Sequence, residues 1–134
     1  MTEVQTAIVP GDDERALSNF LDVPLVRLPL DLTGRPHNVL VLGKVVVRND
    51  DGDAQNAAVR LTFGEDVAAG EVKFEIDRAD IRIPSGHGVA VTLMGWVTSG
   101  SFDVDRPFVD IRASTFQGVA QKTRLTVTVV DTLT

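Results

Sequence analysis

From residue 22 onward the chain is a succession of short β-rich runs separated by turn residues, and no stretch sustains the 3.6-residue periodicity of a helix. Val23, Leu25 and Arg27 alternate with Pro24, Val26 and Leu28. Pro24 and Pro29 confine that run to a sheet edge or a bulge, since proline cannot donate to a ladder. The stretch from Asn38 to Arg48 is dominated by valine and leucine, and Asn49-Asp50-Asp51-Gly52-Asp53 ends it with hairpin chemistry. Ala57 to Phe63 reads as the return strand. Further strands are expected over 71–77, 79–83, 88–97, 108–113 and 125–130, with Gly and Pro mainly between them. About eight short strands at such spacing mark a two-sheet sandwich. The expected fold is therefore all-β, a two-sheet antiparallel jelly-roll sandwich. It occupies 1–134 as one domain, which suits a chain of 134 residues. Residues 1–21 are weakly patterned: Thr6 to Pro10 could be a short edge strand, and Ala16 to Leu21 could make one helical turn.

The strands are not patterned alike. Over 72–76 and 79–83 apolar and polar residues alternate, as when one sheet face meets the core and the other meets water. The runs 39–47 and 89–97 are apolar on both faces. In the first, Val39, Val41, Val45 and Val47 oppose Leu40, Leu42 and Val46; in the second, Val89, Val91, Leu93 and Val97 oppose Ala90, Met94 and Trp96. A two-layer sandwich covers one face of each sheet, so the other apolar face needs a cover. The simplest cover is a second copy of the chain; the alternative is the N-terminal segment folded back over that sheet. The expected subunit interface is Val39, Val41, Val45, Val47, Val89, Val91, Leu93, Val127 and Val129. Trp96, with Ala90 and Met94 on its face, is expected to be buried; exposed, it could stack on a sugar ring.

Val41-Leu42-Gly43-Lys44-Val45-Val46-Val47-Arg48-Asn49, then Ala58 to Gly64, then the closing Arg124 to Leu133, resemble the C1q/tumour-necrosis-factor-like jelly roll, particularly its small bacterial and phage versions. The resemblance covers about residues 22–133 and rests on sheet patterns, not on chemistry. It implies a jelly roll of ten strands and a compact homotrimer with one sheet of each subunit at the three-fold axis. With no tyrosine in the chain, valine and leucine would fill both the core and that seam.

Chemistry-bearing residues are sparse. There is no cysteine, which excludes thiolate nucleophiles and thiolate metal sites and leaves the compartment open. Ser85 and His87 stand two apart, a spacing that rarely lets a nucleophile reach a base, and no Gly-x-Ser-x-Gly elbow is present. His37 and His87 both adjoin turns and read as exposed loop histidines. The Asn49–Asp53 cluster offers oxygens suited to calcium, but the EF-hand template fails and turn chemistry accounts for the same residues. Glu71, Glu75, Asp77 and Asp80 could pair as glycosidase carboxylates, yet their alternation reads as a solvated strand face. No catalytic residue, metal or cofactor is assigned, and the chain reads as a non-enzymatic structural or interaction module. The alternative is a carbohydrate-binding module or lectin with sites in loops 49–56, 99–107 and 114–121 or between subunits. The formal net charge of −6 argues against nucleic acid as a partner. The opening Met1-Thr2-Glu3-Val4-Gln5-Thr6 lacks the basic and apolar regions of a signal peptide. The longest near-apolar run, Val39 to Val47, falls far short of the ~20 residues of a transmembrane helix. Homo-oligomerisation, with a protein or glycan ligand, is the expected mode of action.

Overall fold

The computed structural model describes residues 2–8, 14–18, 23–30, 37–67, 70–98, 104–115 and 117–131, and these form strands and short connections with no helix among them. The strands are β1 (Thr2–Ile8), β2 (Glu14–Ser18), β3 (Val23–Pro29), β4 (His37–Asn49), β5 (Gln55–Glu65), β6 (Glu71–Ile83), β7 (Gly88–Val97), β8 (Pro107–Thr115) and β9 (Gln117–Asp131). One sheet runs β1-β9-β4-β7, with β2 also pairing β9; the other runs β3-β8-β5-β6. All pairings are antiparallel. From β3 onward every connection but β5–β6 carries the chain from one sheet to the other, which is the jelly-roll wrap.

The core lies between the sheets. Val39, Val41, Val45 and Val47 of β4, Val91, Leu93 and Val97 of β7, and Leu125 and Val127 of β9 meet Val59, Leu61 and Phe63 of β5 and Val109, Ile111 and Ala113 of β8. β-branched residues suit this pleated, two-sided packing. Gly43 lets the opposite sheet come close: a Cβ there would lie 2.8 Å from Ile111 Cδ1. Gly64 is tighter still, with Phe108 and the Glu71 carbonyl filling the space of a side chain.

Four expectations need correction. The runs 72–76 and 79–83 belong to one strand, β6; the break between them is a bulge at Ile76, where pairing steps from Leu61↔Asp77 to Thr62↔Glu75. The closing strand begins at Gln117, well before 125. Residues 14–18 are a strand, because β9 offers them a free edge from Gln117 to Gln121. The described parts of the N-terminal segment pair edge-on with β9 and so widen the sheet; they do not lie across its face. The reading of 6–10 as an edge strand is met by β1 as far as Ile8; residues 9 and 10 lie outside the described residues.

Candidate functional site

The valine set expected between subunits is instead the inter-sheet core. Val39, Val41, Val45, Val47, Val91, Leu93 and Val127 are buried within a single chain, and Val89 packs partly buried against them. Val129 of β9 pairs with Glu3 of β1 and Val39 of β4, and its side chain lies outside the described residues. The physical reason is parity. Gly43 and Gly95, which allow close approach of the opposite sheet, share a face with these valines, while Lys44 and Thr92 share the other.

The outward face of β9, β4 and β7 is accordingly the unpartnered one, and cross-strand register orders it in rows. Thr128, Leu40 and Trp96 form one row, and Thr126, Leu42 and Met94 the next. Arg124, Lys44 and Thr92 follow, then Val46 beside Ala90. Met94 is 58% and Trp96 56% exposed in the single chain, so Trp96 is not a core residue. Strand and row spacings give this three-strand face on the order of 300–400 Å², the size of the largest apolar patches on monomers, which are often functional. Within β9, β4 and β7 no carboxylate stands in these rows, although the chain has 19 acidic residues to 13 basic ones; the Val46 row continues through Gln121 to Glu14 of β2. Lys44 and Arg124, directly opposite one another, are both exposed and have no acidic partner among the described residues.

The opposite outer face, on β3-β8-β5-β6, is polar and internally neutralised. Arg112, Arg60 and Arg78 stand opposite one another across three strands, a like-charge row that would be unfavourable alone. Carboxylates offset it: Arg112 pairs with Asp110 at 3.2 Å, Arg60 with Glu75 at 2.8 Å and Arg78 with Asp80 at 2.9 Å. Asp110 is fully buried. It also takes Arg27 at 3.1 Å and accepts the Thr62 hydroxyl, so its charge is paired and hydrogen-bonded. Arg27 is in turn held over the Phe108 ring, 3.8 Å from its centroid, and close against Gly70, whose φ is 65°.

At one end of the sandwich the β4–β5 and β6–β7 turns are stitched together by Asn49. Its buried side chain donates to the carbonyls of Ile83 at 3.0 Å and Asp53 at 2.8 Å and accepts from the Asp51 N–H at 2.8 Å. Its backbone exchanges bonds with His87 and Gly86. In the sequence Asn49 stands out as the first residue of the turn cluster, not as the residue that joins two turns. Of the side-chain oxygens weighed for calcium, that of Asn49 is taken up by the Asp51 N–H, those of Asp51 by Gly52 and Gln55 and those of Asp50 by Arg48. Among the described residues no group of three or more His, Asp or Glu is placed to hold a metal ion. Ser85 donates to the Asp51 carbonyl, while His87 Nδ1 faces the Ser85 backbone carbonyl at 3.0 Å, so the two side chains do not bond each other. The side chain of His37 lies outside the described residues. Glu71 pairs with Lys73, Asp77 accepts the backbone N–H groups of Arg78 and Met94, Glu75 lies on Arg60 and Arg78, and Asp80 on Arg78, so each of the four β6 carboxylates is already engaged. Their hydrogen bonds to arginine hold Asp80 and, on Arg48, Asp50 below the ordinary carboxyl value; Glu65 and Glu71 hold Lys73 above that of a free lysine. Of the loops weighed for glycan, 99–103 and 116 lie outside the described residues.

This architecture defines a jelly-roll β-sandwich, and solved structures share it. A chain of the T13 IBDV viral particle aligns with a TM-score of 0.68 at 12% identity, over 95% of this chain and 31% of that one. Infectious bursal disease virus of the Gx strain aligns with a TM-score of 0.66 at 12% identity, over 96% of this chain and 33% of that one. This chain thus spans about a third of the viral chains. Eiger TNF from S. frugiperda aligns at 0.57 and 9% identity, over 98% of this chain and 95% of its own. At such identities the likeness is one of fold. No family model and no curated protein matches the sequence. No helix among the described residues is long and apolar enough to cross a membrane.

Proposed function

We propose that the chain is a non-enzymatic structural or interaction module that assembles with copies of itself, as a trimer, and presents its loop ends to a partner. The observation that carries this reading is the carboxylate-free apolar face holding Trp96 and Met94 in the open. The described N-terminal strands extend the same sheet sideways and leave that face bare. Face-to-face packing of two copies would set the basic row of Lys44 and Arg124 on apolar rows, an unfavourable desolvation. A head-to-tail contact avoids this, and such contacts close into rings, of which three subunits make a compact case. The solved structures of like fold are a viral particle's chain and a TNF, neither named for a catalytic activity. Light scattering on a sizing column tests the reading. The expected native mass is three chains, falling to one when Trp96→Ser and Met94→Ser are combined; a wild-type monomer at micromolar concentration overturns it.

A carbohydrate-binding role is the second reading, favoured by the exposed Trp96 ring in a row with Thr128. Reproducible binding to one glycan class on an array, with a shift of tryptophan fluorescence, would select it over self-assembly.

A further inference from the structure

We infer that Asp51 is a site of spontaneous backbone modification, converting to iso-aspartate through a cyclic imide formed with Gly52. The backbone nitrogen of Gly52 lies 2.7 Å from Asp51 Oδ1, so nitrogen and side-chain carboxyl already face each other across one residue. Rotation about the side-chain bonds, with release of the Gln55 amide from Oδ2, brings Cγ to that nitrogen in place of Oδ1. Gly52 adds no side chain to obstruct the approach: it is exposed, and even a Cβ built there would touch nothing within 4 Å.

The chemistry needs only water. The Gly52 amide gives up its proton, and its nitrogen attacks Cγ of the neutral Asp51 carboxyl. A C–N bond forms, a C–O bond breaks, and the hydroxyl leaves with a proton as water. A five-membered imide results. Water then adds to one of its two carbonyls; opening at the former peptide carbonyl leaves the chain running through the β-carboxyl. One water leaves and one enters, so the mass is unchanged while the backbone gains a methylene. Attack on the neutral carboxyl makes the conversion faster in mildly acidic buffer.

The position gives the change a structural reach. The Asp51 N–H is held by Asn49, and the Asp51 carbonyl is held by Ser85 of the β6–β7 turn. Isomerisation takes the carbonyl that Ser85 holds out of the main chain as a free carboxylate and routes the chain to Gly52 through the added methylene, which disturbs the link between the two turns at this end of the sandwich. Asp77 supplies an internal control. The Arg78 nitrogen lies 2.9 Å from Asp77 Oδ1, the same arrangement, but Arg78 is bulky and sits inside β6.

The test is to incubate the full-length chain in mildly acidic buffer at body temperature. Methyl groups are then transferred by an isoaspartyl-directed methyltransferase and the site is located by electron-transfer fragmentation. Label is expected to accumulate at Asp51 and not at Asp77, and to be lost in Gly52→Ala, a substitution with room to fold. In the aged fraction, hydrogen exchange at Gly86 and His87 is expected to quicken. Absence of label at Asp51, equal label at Asp77, or label that survives Gly52→Ala would each overturn the assignment; unchanged exchange in a labelled fraction would overturn its effect on the turns.

Discussion

Asn49 uses every hydrogen-bonding group it has, side chain and backbone alike, to hold two turns that are far apart in sequence. Asn49→Ala leaves the Ile83 carbonyl and the Asp51 N–H without their partners, and should cost about 2–3 kcal/mol in urea unfolding, since a buried orphaned group loses its full desolvation penalty. The exposed ion pairs act differently, through pH. Folding lowers the carboxyl pKa of Asp50 and Asp80 below the ordinary 3.8, so their stabilisation is complete above that value and is lost as pH falls through the lower folded one. Lys73 is the mirror case: its stabilisation is complete below 10.5 and is lost as pH rises through the raised folded value. Urea midpoints measured against pH should therefore be level through neutrality and decline at both ends. Asp80→Asn should flatten part of the acid decline and Lys73→Met part of the alkaline one. Both effects should be small and weaken in salt, because these side chains are exposed.

At the scale of elements, the open side of the sandwich is closed by a clasp between β6 and β7, each an edge strand of its own sheet. The β6 bulge pushes Ile76 over Gly95, where a Cβ would come within 2.3 Å of its Cγ2, and turns Asp77 to accept the Met94 N–H at 3.0 Å. A bulge and an inward carboxylate are devices that keep an edge strand from pairing with another molecule. Asp77→Ala should free the β7 edge and raise light scattering on mild heating, while Asp77→Asn, which keeps an acceptor oxygen, should not. The bulge also explains why β6 reads as two strands in the sequence: its alternation changes phase at Ile76 without any turn residue. The two-sided strands were legible as such, and from them the sandwich and its spare apolar face. Which face was spare was harder, because a period of two is symmetric between faces and valine outnumbers leucine on the one that proved to be the core. Two residues carried the answer. Lys44 lies on the Leu40–Leu42–Val46 face, and a lysine is seldom buried unpaired; Gly43 lies on the valine face, where the sheets needed room. The buried Asp110 with Thr62, Arg27 and Arg112 was not legible, since its members come from three strands and only the register of β3, β8 and β5 brings them together.

For the whole molecule, an acidic surface with one acid-free apolar face should make thermal stability depend on protein concentration, as any equilibrium in which only the folded chain associates does. The midpoint of thermal unfolding should rise with concentration in the wild type and stay constant when Trp96 and Met94 are both serine; a constant wild-type midpoint would count against assembly. The arrangement of β9 has a separate consequence, in time. It lies between β4 on one side and both β1 and β2 on the other, so the first two strands of the chain have no ladder partner until the ninth is in place. During synthesis those strands must wait, unpaired, while the remaining sequence emerges. Closing such distant pairings carries a large loop entropy, which sets folding on the millisecond-to-second scale of β-sandwiches and leaves a half-built sheet exposed in the interval.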